Sequence, residues 1–180
     1  MIAYISIPIT DLIIIFGGLL AFLLLHFCFS ETKVLNMIHK LDDLTEEEAT
    51  DTCNYIIEIL SQDYRVIKPK FVITNYKEDE IDAIQYSNGK TLAFFSGKKN
   101  LISLQFIVLI EEGYTLCDMI DCIAHEFQHY LDRLSFETSD QWLSAYKKNI
   151  NYYEFKANKF ALKKLKTLSK KLLLKSLKHI

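Results

Sequence analysis

Apolar positions divide the chain into a continuous hydrophobic run, a stretch of helical period, a stretch of short strand-like segments and a return to helical period. Residues 12–29 read LIIIFGGLLAFLLLHFCF without a formal charge, and apolar residues at positions 2–9 lengthen the run across Thr10 and Asp11. A helix that crosses a bilayer needs about 20 apolar residues, so the run predicts a transmembrane helix within residues 1–30. A cleaved secretory signal fits less well, because no Lys or Arg opens the chain and no small-residue cleavage site follows. Lys33 and Lys40 follow the run and no basic residue precedes it. The positive-inside rule therefore predicts a single-pass anchor with the remaining chain in the cytoplasm.

Residues 31–65 read as a helical scaffold. Val34, Leu35, Ile38 and Leu41 form one stripe, and Thr45 with Glu48 makes a capping box that opens a further helix to about Leu60. Four strand-like segments follow at 66–74, 83–86, 91–96 and 101–110. Ser87-Asn88-Gly89 and Gly97-Lys98-Lys99-Asn100 separate the last three as hairpin turns, which predicts a small, largely antiparallel sheet. LISLQFIVLI, at 101–110, is apolar almost throughout and is expected inside the sheet. Residues 91–96 are more mixed and are expected at an edge that could hold an extended peptide by strand addition. Thr115 with Asp118 then caps a helix to about Leu134, whose stripe of Ile120, Ile123, Ala124, Phe127, Leu131 and Leu134 leaves His125, Glu126, His129 and Arg133 on a different sector.

Composition narrows this picture modestly. Half of the 180 residues are hydrophobic, the excess lies at the start, and the remainder suffices for one domain with a core. The formal net charge of -2 argues against nucleic acid as a partner, although the last quarter of the chain is locally basic. Cys28, Cys53, Cys117 and Cys122 form no disulfide-framework pattern and read as reduced, apolar side chains.

The chemistry concentrates in His125-Glu126-Phe127-Gln128-His129, which reads HEFQH and fits HExxH. Histidines four apart lie on one helix face, so both imidazoles can reach one ion. Glu126 points into the same space, where it can take a proton from a water whose pKa the ion lowers to about 7. A catalytic zinc site takes three protein ligands and keeps one position open. Metzincin spacing would need Gly at 132 and His at 135, where this chain has Asp132 and Ser135, so that class is excluded. Cys122 carries a short thiol about 10 Å along the helix from His129, and Glu137 and Asp140 follow the helix end too closely for the chain to return. Glu154 stands 25 residues after His129, enough for a second helix to come back across the first. On that helix Glu154, Ala157, Asn158 and Ala161 share a face. The alanines permit close approach, and Asn158 is placed to hydrogen-bond a ligating histidine. The competing reading makes Glu154 an exposed glutamate beside a packed alanine seam.

HEFQH followed by YYEFKANKFA resembles the gluzincin pattern HExxH followed by E-x-x-A-(D/N)-x-x-A, as found in the minigluzincins and the ImmA/IrrE-type metallopeptidases of phages and mobile elements. The resemblance covers residues 66–165. It implies a three-stranded sheet with an active-site helix and a glutamate helix, His125, His129 and Glu154 as zinc ligands, and Glu126 as base. Asn158 stands where many relatives have Asp; its amide can orient an imidazole but does not raise its basicity as a carboxylate would. Tyr114, Tyr146, Tyr152 and Tyr153 are candidates by type for stabilising an oxyanion, and none is singled out.

The expectation is thus an α+β, zincin-like fold: a small, largely antiparallel sheet packed on the HExxH helix and a glutamate helix, with an N-terminal transmembrane helix. Residues 66–180 form the catalytic domain. The expected activity is zinc-dependent hydrolysis of peptide bonds in a peptide or protein substrate. A non-catalytic or latent zinc-binding regulator and a factor cleaving one repressor or partner stand as alternatives. The final stretch, 163–178, reads KKLKTLSKKLLLKSLK, with lysines among leucines at helical spacing. It is either a solvated helix packed by its leucine face or, together with the anchor, a contact with anionic membrane lipid.

Overall fold

Thr45 sets the start of the first helix. Its hydroxyl accepts from the Glu48 backbone N–H at 3.2 Å, while the Glu48 carboxylate accepts from the Thr45 N–H at 2.9 Å. A computed structural model describes residues 44–74 and 91–176. Helix α1, Glu46–Tyr64, turns Ala49, Cys53, Ile56, Ile57 and Leu60 inward and ends at Arg65, whose φ of 54° closes it in the left-handed region. Strands β1 (Lys70–Ile73), β2 (Ala93–Ser96) and β3 (Leu101–Leu104) form one sheet in the order β1-β3-β2. Four helices follow: α2 (Phe106–Glu111), α3 (Leu116–Arg133), α4 (Ser139–Lys148) and α5 (Ile150–Ser176).

Helix α3 is the axis of the fold. Thr115 and Asp118 cap it reciprocally, the Thr115 N–H donating to the Asp118 carboxylate at 2.7 Å. Met119, Ile120, Ile123, Ala124, Phe127 and Tyr130 are buried along it against α1, the sheet and α5. Its longest seam is with α5, where Ala157 and Ala161 are fully buried. Two small side chains one turn apart let the helix axes come close, and this proximity carries a side chain of α5 to the histidine face of α3. The Tyr130 hydroxyl, at the far end of α3, hydrogen-bonds the Ile67 carbonyl and ties the helix to the segment entering β1.

Helix α4 docks on the β2–β3 turn. Ser139 donates to the Gly97 carbonyl at 3.1 Å, and Trp142, 5% exposed, packs edge-on against Phe95. A Cβ at Gly97 would stand 2.9 Å from Trp142 Cε3. The indole is held on several sides, so Gly97→Ala displaces α4 rather than one flexible tip. We expect it to cost about 1–3 kcal/mol and to lower the unfolding midpoint measured by circular dichroism. An unchanged midpoint would show that the turn gives way freely.

Three sequence expectations are corrected. The sheet is mixed, not largely antiparallel: β2 and β3 are antiparallel across their turn, but β1 lies parallel to β3 with Lys70 opposite Leu101. Hairpin-turn residues specify only the pair they join, and the second ladder is made by chain distant in sequence. The single strand expected at 101–110 is β3 followed by α2. Ladder pairing ends where the Gln105 N–H donates to the Leu92 carbonyl, and the Leu109 N–H then bonds back to the Gln105 carbonyl. A short run apolar at nearly every position carries no period that separates strand from buried helix.

The third correction concerns the transmembrane helix of the expected fold class. No helix among the described residues is long and apolar enough to cross a membrane, α5 being long but studded with lysines. The stretch assigned to the span, 12–29, lies outside the described residues, as do the strand expected at 83–86 and the helical stripe at 34–41. Over the described residues the fold class is therefore α+β, a three-stranded mixed sheet with five helices, none of them a membrane span.

Candidate metal centre

His125 and His129 stand one turn apart on α3, and their Nε2 atoms face each other at 3.1 Å. Glu154 comes from the first turns of α5. Its Oε2 lies 3.2 Å from His125 Nε2, and its Oε1 lies 3.0 Å from His129 Nε2. The ligand atoms of the three residues all lie within 4.8 Å of one another. Cys122 is not in this group, and neither is Glu137 nor Asp140. His129 is buried, with 5% exposure, whereas His125 and Glu154 are half-buried, so the cluster opens on one side.

Each donor is held by a neighbour. His125 Nδ1 donates to Asn158 Oδ1 at 2.9 Å. This fixes the tautomer, because a proton on Nδ1 leaves the Nε2 lone pair directed at His129 and Glu154. The Tyr146 hydroxyl donates to Glu154 Oε1 at 2.5 Å, and its ring meets the His129 imidazole edge-on at 5.3 Å. Asp132, 3% exposed, accepts from Gln128 at 2.8 Å and from the Lys156 ammonium, a bond that joins α3 to α5 one turn past His129 and half a turn past Glu154. The Asp132–Lys156 link and the alanine seam together set the rotation of α5 that aims Glu154 inward.

Glu126 occupies the same end of α3. Burial pushes its carboxyl above the usual carboxylate range, with the neighbouring imidazoles pulling the other way and a hydrogen bond from the Phe95 backbone helping to hold the anion. Phe95 lies on β2, an edge strand of the described sheet, so the carboxylate faces the border between helix and sheet. Burial also pulls the His125 imidazole down. The hydrogen bond to Glu154 and the charges of Glu126 and Glu154 outweigh it, leaving the imidazole easier to protonate than a free one.

The donor set fits a small divalent cation. Bonds of about 2.0–2.1 Å arranged tetrahedrally place neighbouring ligand atoms about 3.3 Å apart, close to the 3.0–3.2 Å spacings found here. With the His125 lone pair fixed inward and a carboxylate beside it, the cluster concentrates electron-rich atoms that a cation would satisfy. The His129 Nδ1 is buried with no hydrogen-bond partner among the described residues, and the ring packs edge-on against Tyr146.

All five residues selected from the sequence, His125, Glu126, His129, Glu154 and Asn158, are in this neighbourhood. Tyr146 is the one tyrosine of the four candidates that contacts a donor of the triad. Tyr153 stacks behind it at 5.7 Å, and Tyr152 and Tyr114 are exposed. Helix α4, which delivers Tyr146, went unread in the sequence. Its signal is the Thr138 and Gln141 capping box, whose hydroxyl accepts from the Gln141 N–H at 3.2 Å. Comparisons with protein-family models, with curated proteins and with solved structures yield no match to this chain.

Proposed function

We propose that the chain is a zinc-dependent metallopeptidase in which His125, His129 and Glu154 hold the metal and Glu126 is the general base. The observation that carries this reading is the convergence of Glu154, from a separate helix, onto both histidines of an HExxH turn. When bound there, zinc supplies Lewis acidity, which makes a water acidic near neutral pH and polarises a carbonyl. Glu126 takes the proton of the attacking water and returns it to the departing amine. Its burial favours that exchange, because a carboxylate displaced upward from its usual range is a stronger base than a solvated one. Asn158 keeps His125 in the metal-binding tautomer, and Tyr146 holds one oxygen of Glu154 in place.

The test is reversible metal dependence. Zinc-loaded protein should hydrolyse peptides from a mixed library, lose that activity after a strong chelator, and regain it when zinc is added back. Stoichiometric zinc with no chelator-sensitive cleavage would make the site a binding site and not an active one.

A further inference from the structure

The outward side of α5 carries a second distinctive surface, separate from the histidine–glutamate cluster. Tyr152, Phe155 and Leu162 are 61%, 67% and 71% exposed, a large apolar area for side chains of a packed helix. Lys159, Lys163, Lys166 and Lys170 are exposed between and beyond them. Steps of three and four residues place all seven on one side of the helix, opposite the buried Ala157, Ala161 and Leu168. These four lysines form no ion pair within the described structure, unlike Lys156 with Asp132 and Lys164 and Lys171 with Asp63. Helix α5 contains a single acidic residue, Glu154, and that carboxylate is turned inward to the histidines. The outward face is therefore cationic without internal compensation.

We propose that this face docks on an anionic lipid bilayer, with the lysines at the headgroup phosphates and carboxylates and with Phe155, Leu162 and Tyr152 entering the boundary below them. The combination selects the partner. A duplex nucleic acid offers phosphates to the lysines but nothing to cover protruding Phe and Leu side chains, which water would still surround. A bilayer interface offers both, since lysines reach headgroups while aromatic and aliphatic groups sink a few ångströms beneath. Between Tyr152 and Lys170 the helix is about 27 Å long at 1.5 Å per residue, and its cationic side can lie along a flat surface. The inference is independent of the proposed hydrolysis. Docking on this face leaves Glu154 and the histidines, on the other side of α5, uncovered.

The 180-residue chain is compared on vesicles of phosphatidylcholine alone and of phosphatidylcholine mixed equally with phosphatidylserine, by co-sedimentation at low and high salt. A lysine near an anionic leaflet contributes about fivefold in affinity, so three contribute about a hundredfold. Lys159→Gln with Lys163→Gln and Lys166→Gln should remove that factor on the mixed vesicles and leave binding to the neutral ones unchanged. Phe155→Ala with Leu162→Ala should weaken binding to the mixed vesicles by about tenfold through lost apolar insertion. Both variants alter exposed positions, and unchanged zinc binding confirms that the fold is kept. Equal binding of the unaltered chain to neutral and mixed vesicles, full anionic preference in the lysine variant, or tighter lysine-dependent binding to duplex DNA than to mixed vesicles would each overturn the proposal.

Discussion

On the proposed mechanism, Glu126→Gln should lower peptide hydrolysis by about 10³-fold and leave zinc binding intact. The two side chains have the same shape, and the amide oxygen can still accept from the Phe95 backbone, so the change removes proton transfer and little else. General-base catalysis contributes about 10²–10⁴-fold, and the other carboxylate of the described cluster, Glu154, is engaged by both imidazoles and by Tyr146. Metal retention follows because the three donor atoms come from His125, His129 and Glu154, not from Glu126. The measurement pairs initial cleavage rates with metal content by elemental analysis. Undiminished cleavage at full zinc content would remove Glu126 from the mechanism. Loss of zinc in this variant would mean that Glu126 helps hold the metal, and the roles within the HExxH turn would need reassignment.

The local signals were the most legible part of the sequence. A capping box and a helical stripe depend on residues three and four apart, so Thr115, Asp118 and the sector carrying His125 and His129 could be placed from sequence alone. Glu154 was legible for a different reason. The alanines at 157 and 161 mark a face that must approach another helix, and Glu154 and Asn158 share it. The parallel pairing of β1 with β3 was not legible, because each strand is four residues long and nothing local encodes a partner across that separation. Asp132 carries no sequence signal beyond departing from metzincin spacing, yet it is a buried carboxylate joining α3 to α5 through Lys156. A charged pair two helices apart is invisible until their crossing is known.

Glu154→Ala should abolish the proposed stoichiometric zinc binding, and Tyr146→Phe should weaken it without abolishing it. The distinction follows from what each atom touches. Glu154 offers the only donor from outside α3 in the cluster, so removing its carboxylate leaves two imidazoles, one short of the three ligands a zinc site of this type uses. The Tyr146 hydroxyl acts on the site through Glu154 and does not itself supply a donor of the cluster. Without that hydroxyl, Glu154 Oε1 loses a hydrogen bond that restrains it beside His129, and contacts of that kind are worth about 10–100-fold in metal affinity. Thermal unfolding with and without zinc provides an activity-independent readout. Free zinc at a thousandfold above its dissociation constant stabilises a binding-competent fold by about 4 kcal/mol. The unaltered chain should show that gain, Tyr146→Phe a reduced one at the same zinc concentration, and Glu154→Ala none. A full zinc shift in Glu154→Ala would place the third ligand elsewhere, even if the histidines were confirmed. Equal shifts in the unaltered chain and Tyr146→Phe at the same zinc concentration would reduce Tyr146 to a packing residue. Because the ring of Tyr146 also packs edge-on against His129, whose Nδ1 has no hydrogen-bond partner among the described residues, phenylalanine at 146 keeps that edge contact and isolates the hydroxyl. The loss in Tyr146→Phe therefore reports on what the hydroxyl does, including its restraint of Glu154.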